Sequence, residues 1–385
     1  MHVENPDFNR LAARITFEEN RHHLIRIVVV GVGGGGGNAI NRMIQAGIKG
    51  VDLVAANTDI QALGASQAPI KIQIGAKVTG GLGCGGVPEL GRQAALEDTE
   101  RLLELFDGAD MVFITGGLGG GTCTGAGPVI ASLAADAGAL TVAVVTTPFS
   151  LLGQKRRRYA DEGIREFRKV VDTLITVPNE NLIAKLDSDA LLQDSSCLAD
   201  DVLCQAVQGI SDIIIKPGIV NADFADVRTV MSGKGVALMG TAVGEGPDRA
   251  SEAARRAILN PLLEEMSLKR ANAVLMSMTG RQGSLKLHEA RAAAGIIEEL
   301  LRPDDMILGI VYDDGMGERI KITIIATDSG ETKSEILEQT ATPVASTANV
   351  AAVNSVAQAR GFDDAYRATS WEDLEVPAFK RRLAR

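Results

Sequence analysis

Aromatic side chains are scarce in this sequence: Phe, Tyr and Trp together make up 3% of the 385 residues, and only one Trp is present. Cysteine and histidine are also rare, with four of each. The cysteines show none of the spacings typical of metal sites; they are Cys84, Cys123, Cys197 and Cys204. We therefore expect no metal centre built from them, and we interpret them as small, mostly buried side chains in a reducing compartment.

Long apolar runs and an excess of positive charge are absent as well. No run is long enough to span a bilayer, and the first residues lack the pattern of a secretory signal. The formal net charge is −10, which disfavours nucleic acid as a partner because its phosphates repel an acidic surface. These absences predict a cytoplasmic protein with no membrane span and no nucleic-acid partner.

Glycine, by contrast, is abundant at 42 residues, and three glycine-rich stretches stand out. The central one, GGLGGGTCTGAG at 116–127, follows the apolar run MVFIT and precedes small residues that start at Pro128. This order predicts strand, turn and helix. Backbone N–H groups and the hydroxyls of Thr122 and Thr124 can then surround an anion at the positive end of the helix dipole. Larger side chains would hold a phosphate away from the main chain, which explains the glycines.

Two further glycine stretches lie in similar surroundings. One, GGGGG at 33–37, lies between a β-branched apolar run and an amphipathic helix pattern, as in nucleotide-binding βα units. The other, GGLGCGG at 80–86, precedes a helix pattern that begins near Pro88. Because the carboxyl ends of parallel strands meet at one edge of a sheet, we expect the three turns to converge on a polyphosphate.

Composition and periodicity divide the chain into six parts. Residues 1–25 predict a disordered leader, 26–193 a nucleotide-binding α/β domain, and 194–217 a long, largely buried central helix. Residues 218–330 alternate strand and helix patterns and predict a second α/β domain. Residues 331–370 are rich in Ala, Ser and Thr and predict a disordered linker, and residues 371–385 regain apolar side chains, as a docking peptide does.

Several motifs in one order resemble the FtsZ family of bacterial tubulin homologues. They are GVGGGGGNAINRMI, NTDIQAL, GGGTCTGAGP, AVQGISD and NADFADVRTVM, between Ile27 and about Gly330. The resemblance implies a tubulin-like α/β fold with a Rossmann-like GTP-binding domain, a long central helix and a second α/β domain. It also implies a GTPase that polymerises head to tail into the filaments of the cell-division ring at midcell. A C-terminal peptide, Glu375 to Arg382, would dock onto membrane tethers and division regulators.

The resemblance also implies which residues form the site. One subunit would bind GTP or GDP with Mg²⁺, and the next would insert an acidic loop against the γ-phosphate. The catalytic residues on that loop would be Asn221, Asp223 and Asp226. The nucleotide would contact Gly34, Gly35, Gly36, Gly37, Asn38, Gly119, Gly120, Gly121, Thr122, Cys123, Thr124, Gly125, Arg156, Asn179 and Asp200. The carboxylate of Asp200 can accept two hydrogen bonds from guanine, which favours GTP over ATP.

Four positions depart from the family pattern. Cys123 replaces a glycine, which would cost about 1–2 kcal/mol if the position needs a positive φ. Leu152 replaces a glutamate that would bind the ribose hydroxyls, a loss of roughly 1.5–3 kcal/mol. Ser196 replaces a phenylalanine against the guanine, and Cys84 replaces an alanine. The departures leave open an alternative: an FtsZ-like filament or regulatory protein that binds nucleotide weakly and hydrolyses little.

A third hypothesis, from another class, is a nicotinamide-dependent oxidoreductase. It rests on GVGGGGG and needs an acidic residue about 20 positions further on to hold a ribose, for which Asp52 or Asp59 lies near the right distance. It leaves the stretch at 116–127 and the motif NADFADV unexplained, so the GTPase hypothesis is preferred.

Overall fold

The structure, a computed structural model, describes residues 25–183, 192–216, 218–220, 223–233, 235–260 and 271–328. All of them belong to the first of the two units, Met1–Gly330 and Glu331–Arg385, into which the contacts divide the chain. The predictions for the leader, the linker and the docking peptide fall outside these ranges, apart from Ile25, and the prediction for Asn221 does so too.

Strands and helices alternate through the first half of the chain. The strands are β1 (Ile27–Val32), β2 (Val51–Asn57), β3 (Ile70–Gln73), β4 (Met111–Gly117), β5 (Leu140–Thr147) and β6 (Thr173–Pro178). The helices are α1 (Gly33–Gln45), α2 (Ile60–Ala65), α3 (Ala76–Thr79), α4 (Pro88–Glu97), α5 (Thr99–Phe106), α6 (Thr122–Asp136), α7 (Gln154–Val170), α8 (Asn179–Ile183) and α9 (Leu192–Ile215). A 3₁₀ turn at Ser150–Leu152 precedes α7.

The second half continues the alternation. Its strands are β7 (Gly218–Val220), β8 (Gly235–Gly244), β9 (Ala273–Gly280), β10 (Asp305–Tyr312) and β11 (Ile320–Asp328). Its helices are α10 (Phe224–Met231), α11 (Arg249–Ile258) and α12 (Leu287–Leu301), with a 3₁₀ turn at Asp314–Met316.

The described strands form one sheet in the order β3-β2-β1-β4-β5-β6-β8-β11-β9-β10-β7. β1 to β6, β8, β9 and β10 run in one direction, and β7 and β11 run in the other. The parallel strands therefore end along one edge of the sheet, which we call the carboxyl edge, and begin along the opposite one, the amino edge. This is the predicted α/β architecture.

A short pairing between β6 and β8 joins the two halves of the sheet. Thr173, Leu174 and Ile175 pair with Gly235, Val236 and Ala237. One face of the joined sheet shares a single apolar cluster, which extends from Ile27 in β1 to Ile325 in β11 and includes much of α9. The sheet and the apolar core both continue across residues 193 and 218. The domain boundaries placed there from the sequence therefore stay a prediction.

The other face of the sheet carries two separate clusters. In the first half, α4, α5, α6 and α7 bury Phe106, Ile130 and Phe167 against β1, β4 and β5. In the second half, α11 and α12 bury small and branched side chains against β8, β9 and β11. Because both faces of the sheet are covered, every residue of β1 is buried and its sequence, IVVVGV, is a continuous apolar run.

The turn from β1 into α1 depends on two glycines. Gly33 has a φ of +73°, a conformation that side chains other than hydrogen disfavour. Gly36 packs against the strands: a Cβ there would lie 2.5 Å from the carbonyl carbon of Gly31 and 2.6 Å from the carbonyl oxygen of Thr115. The absence of side chains thus lets α1 start directly above β1 and β4.

Gly36→Ala and Gly37→Ala form a matched pair that tests this packing. Gly36→Ala should lower the free energy of unfolding by about 1–3 kcal/mol, because the added methyl group has no room. Gly37 has no atom within 4 Å of a Cβ, so Gly37→Ala should leave stability unchanged or raise it by up to about 1 kcal/mol. Urea unfolding of the nucleotide-free protein measures both; equal effects of the two substitutions would contradict the packing.

Candidate nucleotide-binding site

A cavity of about 300 Å³ opens at the carboxyl edge of the sheet, where β1, β4, β5 and β6 end side by side. Residues at or just after the ends of β1, β4 and β5 form three of its walls, and Asn179, directly after β6, contributes to the fourth. The residues that line it are Val32, Gly33, Gly34, Gly35, Gly117, Leu118, Gly120, Gly121, Thr122, Cys123, Thr146, Pro148, Phe149, Leu152, Arg156 and Asn179.

The amino ends of α1 and α6 meet at one end of this cavity. A Cβ at Gly33 would lie 3.2 Å from Thr122 Cβ, and one at Gly35 would lie 3.2 Å from the backbone nitrogen of Gly117. Neither helix has an acidic residue in its first turn. Two helix dipoles and their free backbone N–H groups therefore point at the same space, which is the arrangement that binds phosphates.

Two glycines leave that space open. No atom lies within 4 Å of a Cβ built at Gly34 or Gly120, whereas a Cβ at Gly121 would lie 2.5 Å from Cys84 Cβ. An anion can thus reach the main chain at Gly34 and Gly120 directly. Gly121 has a packing role against the loop that contains Cys84.

Threonine hydroxyls hold the loop between β4 and α6 in place. The backbone N–H of Gly119 donates to Thr124 Oγ1 over 2.9 Å, so the buried Thr124 hydroxyl serves the loop itself. Thr122 Oγ1 lies 2.9 Å from Thr58 Oγ1 and 3.6 Å from Cys84 Sγ. Thr122 lines the cavity and Thr124 does not.

Several of the predicted nucleotide contacts lie behind the cavity wall. A Cβ at Gly125 would lie 1.8 Å from the carbonyl oxygen of Pro88, so Gly125 packs α6 against α4 in the way that Gly36 packs α1 against the strands. The predicted residues outside the cavity lining are Gly36, Gly37, Asn38, Gly119, Thr124, Gly125 and Asp200. The predicted residues within it are Gly34, Gly35, Gly120, Gly121, Thr122, Cys123, Arg156 and Asn179.

The strain expected at Cys123 is absent. Cys123 lies in the first turn of α6, and among the described residues the only non-glycine with a positive φ is Arg302. Its side chain is 3% exposed and belongs to the core under β4, facing Gly116. Burial raises the pKa of the Cys123 thiol to about 12, so the thiol stays neutral and unreactive.

The wall that follows β5 is mainly apolar. It consists of Thr146, Pro148, Phe149, Leu152 and Arg156. Leu152 is 41% exposed although it is a leucine, and Arg156 is the one charged residue among the described residues that line the cavity. The wall therefore offers one cation and no anion to a ligand.

Asn179 follows β6, the last of the four strands at the cavity, and carries an unsatisfied polar group. Its side chain is 8% exposed, and its Oδ1 has no hydrogen-bond partner within the part of the chain that the structure describes. A buried acceptor without a partner costs about 1–3 kcal/mol. A ligand that donates a hydrogen bond at this end of the cavity would satisfy it.

Asp200 lies on α9 with its side chain partly buried. Burial and the neighbouring charge of Asp201 raise the pKa of Asp200 to about 6, while Arg42 opposes the shift. Asp201 itself forms an ion pair with Arg42, which raises the pKa of the guanidinium. Asp200 does not line the cavity among the described residues, and the side chain of Ser196 lies outside the description.

Asp223 and Asp226 lie at the amino edge of the sheet, away from the cavity. Asp223 caps α10, and its carboxylate accepts a hydrogen bond from the backbone N–H of Asp226 over 2.8 Å. The other end of α10 contacts the starts of the strands: Arg228 donates to the carbonyl of Gly138 just before β5, and Thr173 at the start of β6 donates to the carbonyl of Met231.

The length of β5 separates this acidic pair from the cavity. β5 contains eight residues and spans roughly 25 Å. The carboxylate of Asp226 is exposed and has no hydrogen-bond or ion-pair partner within the described part of the chain. Asp223 and Asp226, on the helix that contacts the starts of β5 and β6, are therefore not placed against the cavity of their own molecule.

Several residues that line the cavity were not predicted from the sequence. Gly33, Gly117, Thr146, Pro148 and Phe149 all lie at or just beyond the carboxyl end of a strand. The segment TTPF, at the end of β5 and just beyond it, lies at a strand end as the glycine turns do, but it lacks the glycines typical of phosphate-binding turns. Its role is visible only once β5 is known to lie between β4 and β6.

No group of three or more His, Cys, Asp and Glu side chains lies together as a metal-binding cluster within the described ranges. No helix within them is long and apolar enough to cross a membrane.

Comparisons with known proteins agree with this geometry. Residues 26–187 match the Tubulin/FtsZ family, GTPase domain, and residues 235–330 match the FtsZ family, C-terminal domain. The chain is 46% identical to a cell division protein FtsZ of Pseudomonas putida, over 93% of this chain and 96% of that protein. It is 47% identical to that of Pseudomonas aeruginosa, over 92% and 88% respectively.

A solved structure gives the same result for the fold. An FtsZ dimer of M. jannaschii matches with a TM-score of 0.75 and 39% identity, over 80% of this chain and 89% of that one. The comparisons do not favour the weakly binding alternative. The chain belongs to the tubulin/FtsZ family and is a tubulin-like cell-division GTPase that binds guanine nucleotide and forms filaments.

Proposed function

We propose that GTP binds in the cavity at the carboxyl edge and that Asp223 and Asp226 of the next molecule complete the active site. The proposal is carried by the contacts of α10 with the starts of β5 and β6, because the cavity lies at the opposite ends of these strands and β5 spans roughly 25 Å. A contact between opposite edges of identical molecules is heterologous and repeats without closing, so it builds a head-to-tail filament.

The phosphates are assigned to the end of the cavity where α1 and α6 begin. Open main chain at Gly34 and Gly120, two helix dipoles and the absence of lining carboxylates among the described residues support this assignment. Arg156 adds a positive charge on the neighbouring wall. Gly35, Gly121, Thr122 and Cys123 contribute the first-turn backbone around the phosphates.

The base is assigned to the end marked by Asn179 and α9. The Oδ1 of Asn179 can accept a hydrogen bond from guanine. Asp200 does not line the cavity among the described residues and is assigned to the base from the sequence motifs, where its carboxylate would accept two hydrogen bonds. Burial raises the pKa of Asp200 to about 6, so the carboxylate is charged at neutral pH and becomes a neutral acid below that value. Guanine recognition through Asp200 should therefore weaken as the pH falls through 6.

The two aspartates divide the catalytic work. Asp223 is engaged in its own helix cap and positions the loop, whereas the Asp226 carboxylate is free to accept a hydrogen bond from water. A water held there attacks the γ-phosphorus, the bond from phosphorus to the β–γ bridging oxygen breaks, and GDP and phosphate leave. Asn221 is assigned to the same loop from the sequence motif alone.

Mg²⁺ is proposed to enter with the nucleotide. The described lining offers hydroxyl oxygens, from Thr122 and Thr146, but no carboxylate, which suits an ion held mainly by phosphates and water. When bound it neutralises charge that develops on the phosphates. Asp223 and Asp226 of the next molecule are oxygen donors that would approach the same region.

The C-terminal peptide is proposed to connect the filament to membrane tethers and division regulators. Residues Glu375 to Arg382, EVPAFKRR, combine apolar and basic side chains after a segment rich in Ala, Ser and Thr. We further propose that the protein lies in the cytoplasm at the midcell ring. We also propose that residues 26–193 and 218–330 form its two domains.

Asp226→Asn tests the proposed function. The substitution keeps the size of the side chain and removes its charge, so the rate of GTP hydrolysis should fall at least about a hundredfold while GDP affinity changes less than about twofold. Phosphate release and GTP-dependent sedimentation measure turnover and assembly; calorimetry measures binding.

Asp161→Asn, on the exposed face of α7, is the matched control and should leave turnover unchanged. A wild-type protein that neither sediments with GTP nor releases phosphate would contradict the proposal. Loss of GDP binding together with turnover in Asp226→Asn would mean that the aspartate has a structural role instead.

Deletion of residues 371–385 tests the role of the peptide. GTP-dependent sedimentation and phosphate release should equal those of the full chain, because the cavity and the acidic pair are untouched. In cells, the shortened protein should form filaments that no longer lie at the membrane, as fluorescence microscopy would record. Failure of the purified shortened protein to assemble would contradict this division of labour.

A further inference from the structure

The order of the strands fixes the order of the ligand's parts along the cavity. The carboxyl ends follow one another as β1, β4, β5 and β6, with neighbouring strands about 4.8 Å apart. The proposed phosphate end lies over β1 and β4, and the buried amide of Asn179 follows β6. Whatever joins the phosphates to the base must therefore cross the wall that follows β5, and in a nucleotide that part is the sugar.

The sugar wall, defined as Thr146, Pro148, Phe149, Leu152 and Arg156, offers the sugar mainly apolar surface. Pro148, Phe149 and Leu152 have no side-chain hydrogen-bonding group. Proteins that read ribose hydroxyls commonly place a carboxylate against them. No carboxylate lines the cavity within the described part of the chain.

The two polar side chains of the sugar wall, Thr146 and Arg156, do not require a sugar hydroxyl as a hydrogen-bond partner. Arg156 is exposed, so water can take its hydrogen bonds when a sugar hydroxyl is missing. Thr146 Oγ1 lies toward the phosphate end, 3.5 Å from a Cβ built at Gly117. Arg156 would therefore not be left unsatisfied by a deoxy sugar. Thr146 is buried, at 6% exposed, but its hydroxyl lies toward the phosphate end, so its expected partner is a phosphate and not a sugar hydroxyl.

We propose that this site does not read the sugar hydroxyls, so that 2′-deoxy- and 2′,3′-dideoxyguanosine nucleotides bind about as well as the ribonucleotides. The inference rests on the proposed placement of GTP in the cavity. A site built to hydrogen-bond a hydroxyl rejects the analogue that lacks it, because its own polar groups lose their partner. An apolar wall has no such group to lose.

Leu152 is the residue that allows nucleotides without sugar hydroxyls to bind as well as ribonucleotides. Its side chain is 41% exposed on the cavity side of the 3₁₀ turn that leads into α7. A glutamate at this position would place a carboxylate against the sugar. Such a charged hydrogen bond is worth about ten- to a hundredfold in affinity for a ligand that has the hydroxyl.

Calorimetric titration of the full chain with GDP, 2′-deoxy-GDP and 2′,3′-dideoxy-GDP tests the inference without interference from hydrolysis. For the wild-type protein the three dissociation constants should agree within about threefold. Leu152→Glu should bind GDP more tightly and favour it over dideoxy-GDP by at least about tenfold. Leu152→Met, an apolar control of similar size, should keep the wild-type tolerance.

Two results would overturn the inference while leaving the proposed function intact. One is a wild-type preference for GDP over dideoxy-GDP of tenfold or more. The other is a Leu152→Glu variant that binds all three nucleotides with equal affinity, since residue 152 would then not face the sugar. Absence of binding for all three nucleotides to the wild-type protein would instead contradict the proposed function itself.

Discussion

The direction of the strands is the constraint on which the rest of the structure depends. Because nearly all of the described strands run the same way, every strand-to-helix turn that can bind phosphate lies at one edge, and α10 lies at the other. The sheet that builds the cavity also holds the acidic pair away from it. Under the proposed function a second copy completes the site, so catalysis and assembly would depend on the same contact.

Close packing by glycine makes the phosphate end possible. Gly36 and Gly125 let α1 and α6 approach their neighbours so closely that a methyl group would overlap backbone atoms. Gly34 and Gly120 leave the main chain open to a ligand. Glycines of one stretch thus have two different functions, one in packing and one in ligand access.

Much of the fold was predictable from the sequence, because β-branched apolar runs and glycine turns report strand ends directly. The cavity is lined by part of the residues named from the sequence, and whether they contact a nucleotide stays a prediction. Thr124 accepts a hydrogen bond from its own loop and Gly125 packs α6 against α4, and no sequence pattern distinguishes such residues from those that line the cavity. The condition for strain at Cys123, a positive φ, is not met because α6 begins one residue before it and places it in helical conformation. Phe149 and Pro148 were missed because their role follows from strand order, which is a tertiary property.

The most direct measurement of the central claim mixes two inactive variants. Gly120→Glu puts a carboxylate into the open phosphate end and should not bind nucleotide, while Asp226→Asn keeps the cavity and loses the catalytic acid. If the site forms between molecules, the mixture should release phosphate several-fold faster than the sum of the two separate rates, because an intact cavity then meets an intact acidic loop. A mixture no faster than that sum, with both variants folded and Asp226→Asn still binding GDP, would contradict the account.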